Sequence, residues 1–260
     1  MTNLYALPRP SLRFMPIWRR NFLVWKKLAL PSVLGNLADP MIYMLGLGYG
    51  LGALLPDVGG VSYIAFLAAG TVCFSTANSA TFESLYSAFS RMHVQRTWDA
   101  IMNAPLTLDD VVLAELIWTA SKSFLSGLAI LIVVWVLGLS GSWLSLWALP
   151  VVVLVGLCFG AIALAVTALA PSFDFFMYYF TLVITPMAML CGVFFPMDQM
   201  APVLQAIALL LPLSHATLLV RPLLAAEVPQ DILLHVLVLL AYAAAGFYAA
   251  VVLCRRRLLK

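Results

Sequence analysis

The chain has 260 residues, of which 64% are hydrophobic and only 10% are charged, and its net charge is +3. A soluble globular domain contains about 25% charged residues. This composition therefore excludes a soluble protein, which could not cover its surface with polar groups, and it predicts an all-α integral membrane protein with several membrane spans.

The N-terminal segment 12–29 has the pattern of an amphipathic helix. One side carries apolar residues and the other is largely basic, and such a helix lies in the membrane interface near anionic headgroups. The apolar side comprises Phe14, Ile17, Trp18, Phe22, Trp25, Leu28 and Ala29. We expect residues 1–30 to form a cytoplasmic N-terminus with this helix, and 31–260 to form the six-span region of one domain.

Six apolar stretches reach the length of about 20 residues that a membrane span requires. They are 32–55, 61–88, 111–138, 147–170, 176–196 and 232–254. A shorter run at 201–216 lies between Pro202 and Pro212, so it predicts a helix that enters the membrane without crossing it. We expect the outer segment 194–216, with Phe195, Pro196 and His215, to form this re-entrant region.

The distribution of Lys and Arg predicts the orientation, because these residues are retained on the cytoplasmic side. Twelve of the 14 basic residues lie before span one, between spans two and three, or after span six. Both termini and the loop after span two are therefore expected in the cytoplasm.

The loop after span two has the periodicity of a short helix. Within 92–104, Val94, Trp98 and Ile101 share one face, and Pro105 ends the helix. Thr107 followed by Asp110 is a capping-box pattern that predicts the start of span three. Periodicity alone leaves open whether this element is a rigid elbow or an ordinary solvated loop.

Polar residues in the apolar spans are candidates for function, because ionisable groups at membrane depth are costly. Asp39 precedes Pro40, and it predicts either a cap for a helix that Pro40 interrupts or a contact with substrate. Asp39, Ser79, Glu83, Glu115 and Lys122 form the set of candidate translocation residues.

Span two carries a polar residue at every fourth position from Thr71 to Ser87, and Ser79 fits close helix packing. Glu83 fits that role poorly. Counting the helical rise from the loop places Glu83 and Lys122 at a similar depth, which predicts an ion pair between them. Glu115 is the competing partner for Lys122.

The sequence lacks the motifs of an enzyme that acts alone. The phosphate-binding pattern GxxxxGK[ST] is absent, so any ATPase must be a separate chain and no cofactor is expected here. "GLSG" at 138–141 together with His235 is the best match to an intramembrane serine protease, although it is explained more simply as a turn between spans. The four cysteines lie in apolar runs and are expected to be buried thiols.

Several stretches resemble the ABC-2-type transporter permeases, in particular the nodulation protein J branch, which exports lipo-oligosaccharide. They are "ADPMIYMLGLGYGLGAL" (38–54), "YIAFLAAGT" (63–71), "FSRMHVQRTWDA" (89–100), "VTALAPSFDF" (166–175), "LVITPM" (182–187), "FFP" (194–196), "LPLSH" (211–215) and "RRRLL" (255–259). These stretches are distributed over nearly the whole chain.

The resemblance implies a six-span subunit in the bacterial inner membrane that pairs with a second copy of itself. Each copy would bind a cytoplasmic ATPase, which holds the ATP and Mg, through a coupling helix at 92–104. Val94, Arg96, Trp98, Asp99 and Ile101 are then the expected coupling residues, with Val94, Trp98 and Ile101 filling a groove on the ATPase.

The re-entrant segment would close the path on the outside, and the further partners would be membrane lipids and a glycolipid substrate, with no nucleic acid. Two alternatives remain open. One is an ABC-2 exporter of hydrophobic drugs or of another glycolipid or polysaccharide. The other is an ion-coupled secondary transporter that uses Glu83, Glu115 and Lys122 as a charge relay.

Overall fold

The computed structural model describes residues 4–9, 11–55, 57–58 and 60–259, with the backbone alone at Asp39. Within these ranges the α-helices are α1 (Phe14–Lys26), α2 (Ala29–Gly50), α3 (Tyr63–Phe82), α4 (Thr97–Met102), α5 (Leu108–Val136), α6 (Ala148–Leu169), α7 (Asp174–Tyr179), α8 (Thr185–Leu190), α9 (Pro202–Leu210), α10 (Pro212–Leu224) and α11 (Ile232–Leu258). The strands β1 (Asp57–Val58) and β2 (Val61–Ser62) form a small antiparallel hairpin.

Four continuous helices are long and apolar enough to cross a membrane: Tyr63–Val94, Leu108–Val136, Trp143–Leu169 and Ile232–Leu258. They correspond to the predicted spans two, three, four and six. The pairs α1–α2 and α9–α10, bent by 81° and 92°, raise the total to six if each pair is one span. The predicted fifth span is a shorter apolar segment, Asp174–Leu190. The fold is therefore an all-α integral membrane fold, as predicted.

Helix α3 extends further than its apolar pattern indicates. It continues through π-helical turns at Glu83–Ala88 and Ser90–Val94. Residues 92–94 thus belong to the span, and the chain reverses at Arg96, whose φ of 49° lies in the left-handed region. Only Thr97–Met102 forms the separate short helix α4. We call residues 94–106, which include the last residue of this extended helix and connect it to α5, the elbow.

The start of α5 confirms the predicted capping box. The hydroxyl of Thr107 accepts a hydrogen bond from the backbone N–H of Asp110, whose carboxylate accepts one in return from the backbone N–H of Thr107. Two of the donors that a helix start leaves without partners are satisfied in this way.

Helix α1 packs against the span helix α5. The indole of Trp18 donates to the hydroxyl of Ser121 at 3.1 Å, and the rings of Trp25 and Trp118 meet edge to face at 6.0 Å. Ile17 is buried. The apolar side of the predicted interface helix therefore covers protein as well as any lipid.

Helix α2 follows and passes through Pro40 without ending. The expectation that residue 39 caps a helix interrupted by Pro40 is therefore wrong, since both positions lie inside one helix. The side chain of Asp39 is outside the described part of the structure, so its possible contact with substrate stays a prediction.

The centre of the fold is α6, which packs against α3, α5, α10 and α11. It approaches α11 closely at Gly246, where a Cβ atom would lie 2.9 Å from the backbone nitrogen of Ile162. At the elbow end of the molecule, Arg257 near the C-terminus donates to the carbonyl oxygens of Thr167, Ala168 and Ala170, which close the end of α6.

The predicted re-entrant region consists of α9 and α10. Pro202 and Pro212 each stand at the start of one helix, where a proline lacks no needed donor. The second helix continues to Leu224, beyond the predicted end at 216. Phe195 and Pro196 precede this region and are partly exposed.

Candidate functional site

A cluster of four charged side chains lies near the elbow end of α3 and α5. It comprises Glu83, Arg91, Glu115 and Lys122, and each of these side chains exposes 15% or less of its surface. Lys122 Nζ lies 2.7 Å from Glu83 Oε2, so the predicted ion pair between these two residues is confirmed. We call these four residues the charge cluster.

Arg91 joins the two carboxylates of the charge cluster. Its Nη2 donates to Glu83 Oε1 at 3.0 Å, and its Nε donates to Glu115 Oε1 at 3.0 Å. Glu115 therefore pairs with Arg91, whereas Lys122 pairs with Glu83. The sequence-based prediction had placed Arg91 in the cytoplasmic loop and missed this role.

Helix geometry explains why the sequence does not predict the contact of Arg91 with Glu83. An α-helix brings residues i and i+7 to one face, whereas Glu83 and Arg91 are eight positions apart. The π-helical turns between them contain more residues per turn than an α-helix, and this brings Arg91 to the same face of the helix as Glu83. No signal in the sequence announces these turns.

Two indole groups complete the hydrogen bonding of the carboxylates. Trp118 Nε1 donates to Glu83 Oε1 at 2.8 Å, and Trp98 Nε1 donates to Glu115 Oε1 at 3.2 Å. With two carboxylates and two cations the cluster has no net charge, and every carboxylate oxygen accepts at least one hydrogen bond. Pairing of this kind is what makes buried charges tolerable in a membrane protein.

Trp98 connects the elbow to the charge cluster. Its side chain has no exposed surface and contacts Glu115 of α5. The prediction that Trp98 fills a groove on a partner protein is therefore wrong for this conformation, because no part of the ring reaches the surface. Of the three residues that periodicity places on one apolar face, Trp98 and Ile101 turn inward, whereas Val94 is 61% exposed, so the predicted face is only partly correct.

The opposite side of the elbow is open. Val94, Arg96 and Asp99 are exposed, while Ile101 is half-buried beside Trp98. Of the five predicted coupling residues, three are thus exposed in the structure, and two, Trp98 and Ile101, pack toward the span helices.

A small polar cavity of about 230 Å³ lies between α2, α3 and α5, and Ser79 lines it. The hydroxyls of Ser75 and Ser126 are 3.0 Å apart across the α3–α5 contact, and Asn36 of α2 also faces this cavity. Ser75 therefore serves helix packing, as expected of small polar residues in membrane helices.

At the far end of the molecule, His215 of α10 is buried against α11. Its Nδ1 lies 2.8 Å from His235 Nδ1, and its Nε2 lies 2.9 Å from the carbonyl oxygen of Leu209. The buried hydroxyl of Ser140 has no hydrogen-bond partner among the described residues. The serine-protease alternative fails here, because a nucleophile needs its base within hydrogen-bond reach.

Comparison with known proteins assigns this arrangement to a family. The model of the family described as "ABC-2 type transporter" matches residues 13–224. The chain belongs to the ABC-2 type transporter family. The match includes α1, the elbow, the charge cluster and the bent pair α9–α10, whereas α11 with His235 lies beyond it.

Similar proteins cover the chain from end to end. Nodulation protein J of Rhizobium leguminosarum bv. trifolii is 50% identical over 259 residues, which cover 99% of this chain and 98% of that protein. Nodulation protein J of Bradyrhizobium diazoefficiens is 50% identical over 263 residues and covers both chains completely. The protein of that name in Rhizobium meliloti is 47% identical over 262 residues, again covering both chains.

These findings confirm the resemblance to the nodulation protein J branch. The ABC-2 chain is accordingly a transporter permease, a multi-pass transmembrane subunit. The family also implies an ABC ATPase as its partner.

Proposed function

We propose that this ABC-2 permease is the transmembrane subunit of an ATP-driven exporter that moves an amphipathic lipo-oligosaccharide, or a related glycolipid, outward across the bacterial inner membrane. In this proposal two copies of the permease pair, and each binds a cytoplasmic ATPase that holds ATP and Mg. The cargo follows from the resemblance to the nodulation protein J branch, which is supported by about half of the residues being identical over the full length.

The observation that carries the proposal is the connection from the elbow to the charge cluster. The exposed side of the elbow, with Val94, Arg96 and Asp99, offers a surface to an ATPase. The buried side holds Trp98, which bonds to Glu115 and, through Arg91, to Glu83. A displacement of the elbow therefore moves side chains on α3 and α5 together.

The sequence analysis assigns both ATPase binding and the transmission of its movement to one set of residues. The connection through Trp98 divides these two tasks between different residues. In this proposal Arg96 and Asp99 bind the ATPase, and Trp98 passes the movement of the elbow to the spans. A buried hydrogen-bonded contact suits the second task, because packed interfaces switch between discrete arrangements instead of deforming continuously.

Two substitutions test this division. Arg96→Glu reverses a charge on the exposed side, and we expect it to reduce co-purification of the ATPase. Trp98→Phe keeps an aromatic ring in the same space but removes the donor to Glu115. We expect it to retain ATPase binding and to lose most of the coupled transport.

The decisive measurement is transport per ATP hydrolysed by the two-component complex in vesicles. If Trp98→Phe transports as well as the wild type, Trp98 has no role in coupling. Asn103→Ala, an exposed change on the same elbow, serves as the matched control and should behave as wild type.

The energy source has its own test. Export should stop when the ATPase partner carries a substitution that abolishes hydrolysis, and it should continue in the presence of a protonophore. The opposite result would favour the ion-coupled alternative, in which Glu83, Glu115 and Lys122 relay charge. The structure weakens that alternative, because the described contacts tie both carboxylates into fixed ion pairs.

The cargo is tested separately, by comparing a lipo-oligosaccharide with a hydrophobic drug in the same ATP-dependent assay. Transport of the drug alone would support the alternative of an ABC-2 drug exporter and would leave the ATP-driven mechanism intact.

A further inference from the structure

A cavity of about 260 Å³ lies beneath α1, where this helix crosses the elbow ends of α3 and α5. Three of its charged lining residues are cationic, namely Arg20, Arg91 and Lys122, and one, Glu83, is anionic. The part of this cavity that α1 lines takes no part in the contact of Trp98 with the charge cluster. It is also separate from the polar cavity that Ser79 lines.

The α1 wall of the cavity contains one buried hydrogen-bond donor without an acceptor among the described contacts. Asn21 is 3% exposed, and its Nδ2 has no hydrogen-bond partner. Its Oδ1 accepts from Arg20 Nη1 at 3.0 Å. A buried donor without a partner is unusual in a folded protein, and it indicates a group that the described contacts do not include.

The carboxylate on the opposite wall of the cavity is already paired. Both oxygens of Glu83 are occupied, by Lys122 on one side and by Arg91 and Trp118 on the other. Lys122 uses one of its three N–H donors for this bond, and Arg20 forms no ion pair within the described contacts. Because the charge cluster is neutral, Arg20 leaves the cavity with one excess positive charge, and the cavity has no free carboxylate to balance it among the described lining residues.

The remaining lining consists of the polar side chains of Ser32, Ser87 and Gln95 and of a set of apolar side chains. Val24, Trp25 and Leu28 of the α1–α2 corner and Trp118 of α5 form this apolar set, and the two indole rings meet edge to face at 6.0 Å. A ligand that fits must combine an anionic, oxygen-rich group with an apolar portion. A phosphate on a glycerol backbone with acyl chains has this composition.

We infer that the cavity binds the phosphate group of an anionic phospholipid from the leaflet that α1 contacts. Arg20 supplies the charge and Asn21 the directed N–H, while Trp25 and Leu28 contact the apolar part of the lipid. Exposed basic residues elsewhere on α1, such as Arg19 and Lys26, favour the same anionic surface, but they lie outside the cavity. The inference requires α1 to lie at the membrane surface and does not depend on the cargo.

The test is a lipid titration of the purified full-length permease in detergent, followed by native mass spectrometry. Phosphatidylglycerol and phosphatidylcholine with identical acyl chains are compared. We expect phosphatidylglycerol to bind at least about tenfold more tightly, as a charge-assisted hydrogen bond implies. Arg20→Gln should remove most of this preference.

Arg19→Gln is the matched control, because it removes the same charge from the exposed neighbouring position. We expect it to change binding by no more than about twofold, as is usual for surface charges. Asn21→Ser replaces the amide donor by a shorter hydroxyl donor without changing the charge, and it should weaken phosphatidylglycerol binding. This second variant tests the inference if Arg20→Gln does not fold.

Three results would overturn the inference: equal binding of the two lipids, equal effects of Arg19→Gln and Arg20→Gln, or displacement of phosphatidylglycerol by inorganic phosphate at a similar concentration. The last would assign the cavity to a soluble anion. Loss of lipid preference with unchanged ATP-driven transport would leave the proposed function standing.

Discussion

At the scale of single residues, Arg91 holds the charge cluster together. It is the one cation within the described structure that contacts both buried carboxylates, whereas Lys122 contacts only Glu83. Removing one member of a buried ion network costs much more than the network contributes when complete, because an unpaired charge is left in a low-dielectric site.

We therefore expect Arg91→Met to be far more destabilising than Lys122→Met. Arg91→Met leaves Glu83 and Glu115 facing each other without their shared cation, a loss of about 3–5 kcal/mol by analogy with broken buried pairs. Lys122→Met leaves Glu83 with Arg91 and Trp118, so its cost should be clearly smaller. Thermal unfolding of both variants in the same detergent measures the difference.

Equal losses for the two substitutions would show that Arg91 does not have this central position. Reversal of the pair, with Glu83→Lys and Lys122→Glu together, gives a further check. It should rescue folding only in part, since a lysine at position 83 would face the guanidinium of Arg91.

The limits of prediction at this scale have physical causes. Depth along two helices was sufficient to pair Glu83 with Lys122, because the helical rise is regular. Arg91 depends on π-helical turns, which no local pattern specifies, and the unpartnered donor of Asn21 depends on how α1 lies across α5. Contacts that require tertiary geometry were not accessible from one sequence.

At the scale of helices, close approach of backbones organises the fold. Hydrophobic attraction between helices is weak in lipid, so small residues that permit tight packing determine which helices associate. At Gly246 of α11, an added Cβ would lie 2.9 Å from the nitrogen of Ile162 and 3.0 Å from the carbonyl carbon of Ala161. Both neighbours are backbone of α6 and cannot move independently.

Gly246→Ala should therefore separate α11 from α6 and lower the stability of the permease. Forcing an extra methyl group into a packed site costs about 1–3 kcal/mol. Gly46→Ala in α2 is the control, because a Cβ there meets no atom within 4 Å. The experiment compares the two unfolding temperatures in one detergent. A loss of stability for Gly46→Ala as large as that for Gly246→Ala would contradict this account.

Element boundaries followed from the sequence where local chemistry sets them. The capping box at Thr107 and Asp110 predicted the start of α5, and Pro202 predicted the start of α9. Pro212 ends the predicted helix as expected, but it also begins α10, which the sequence did not predict. The predicted end of α3 lies too early in the chain. The residues after position 90 are polar, as is typical of a loop, but they continue the helix. Polarity marks the membrane boundary, and a helix is free to extend beyond it.

At the scale of the whole molecule, the structure groups the segments predicted to be cytoplasmic. Arg255 near the C-terminus donates to Asp109 at the start of α5 through its Nε at 2.9 Å, and its Nη1 donates to the carbonyl oxygen of Ala6 at 2.6 Å. Ser11 bonds to Asp110. Both end segments and the elbow therefore lie at one end of the fold, which agrees with the distribution of Lys and Arg.

This grouping leads to a labelling prediction. Asn103→Cys places a thiol on the exposed elbow, and Gly141→Cys places one on the turn between α5 and α6, where a Cβ meets no atom within 4 Å. A maleimide that does not cross membranes should label Gly141→Cys in intact cells. It should label Asn103→Cys only after the inner membrane is made permeable.

The four native cysteines are buried, so the unmodified chain provides a control with low background labelling. Labelling of Asn103→Cys in intact cells would place the elbow outside, where no cytoplasmic ATPase could reach it. Since Arg96, Asp99 and the termini lie at the same end of the fold, that single result would reverse the orientation of the whole permease and remove the basis for ATP-driven coupling through the elbow.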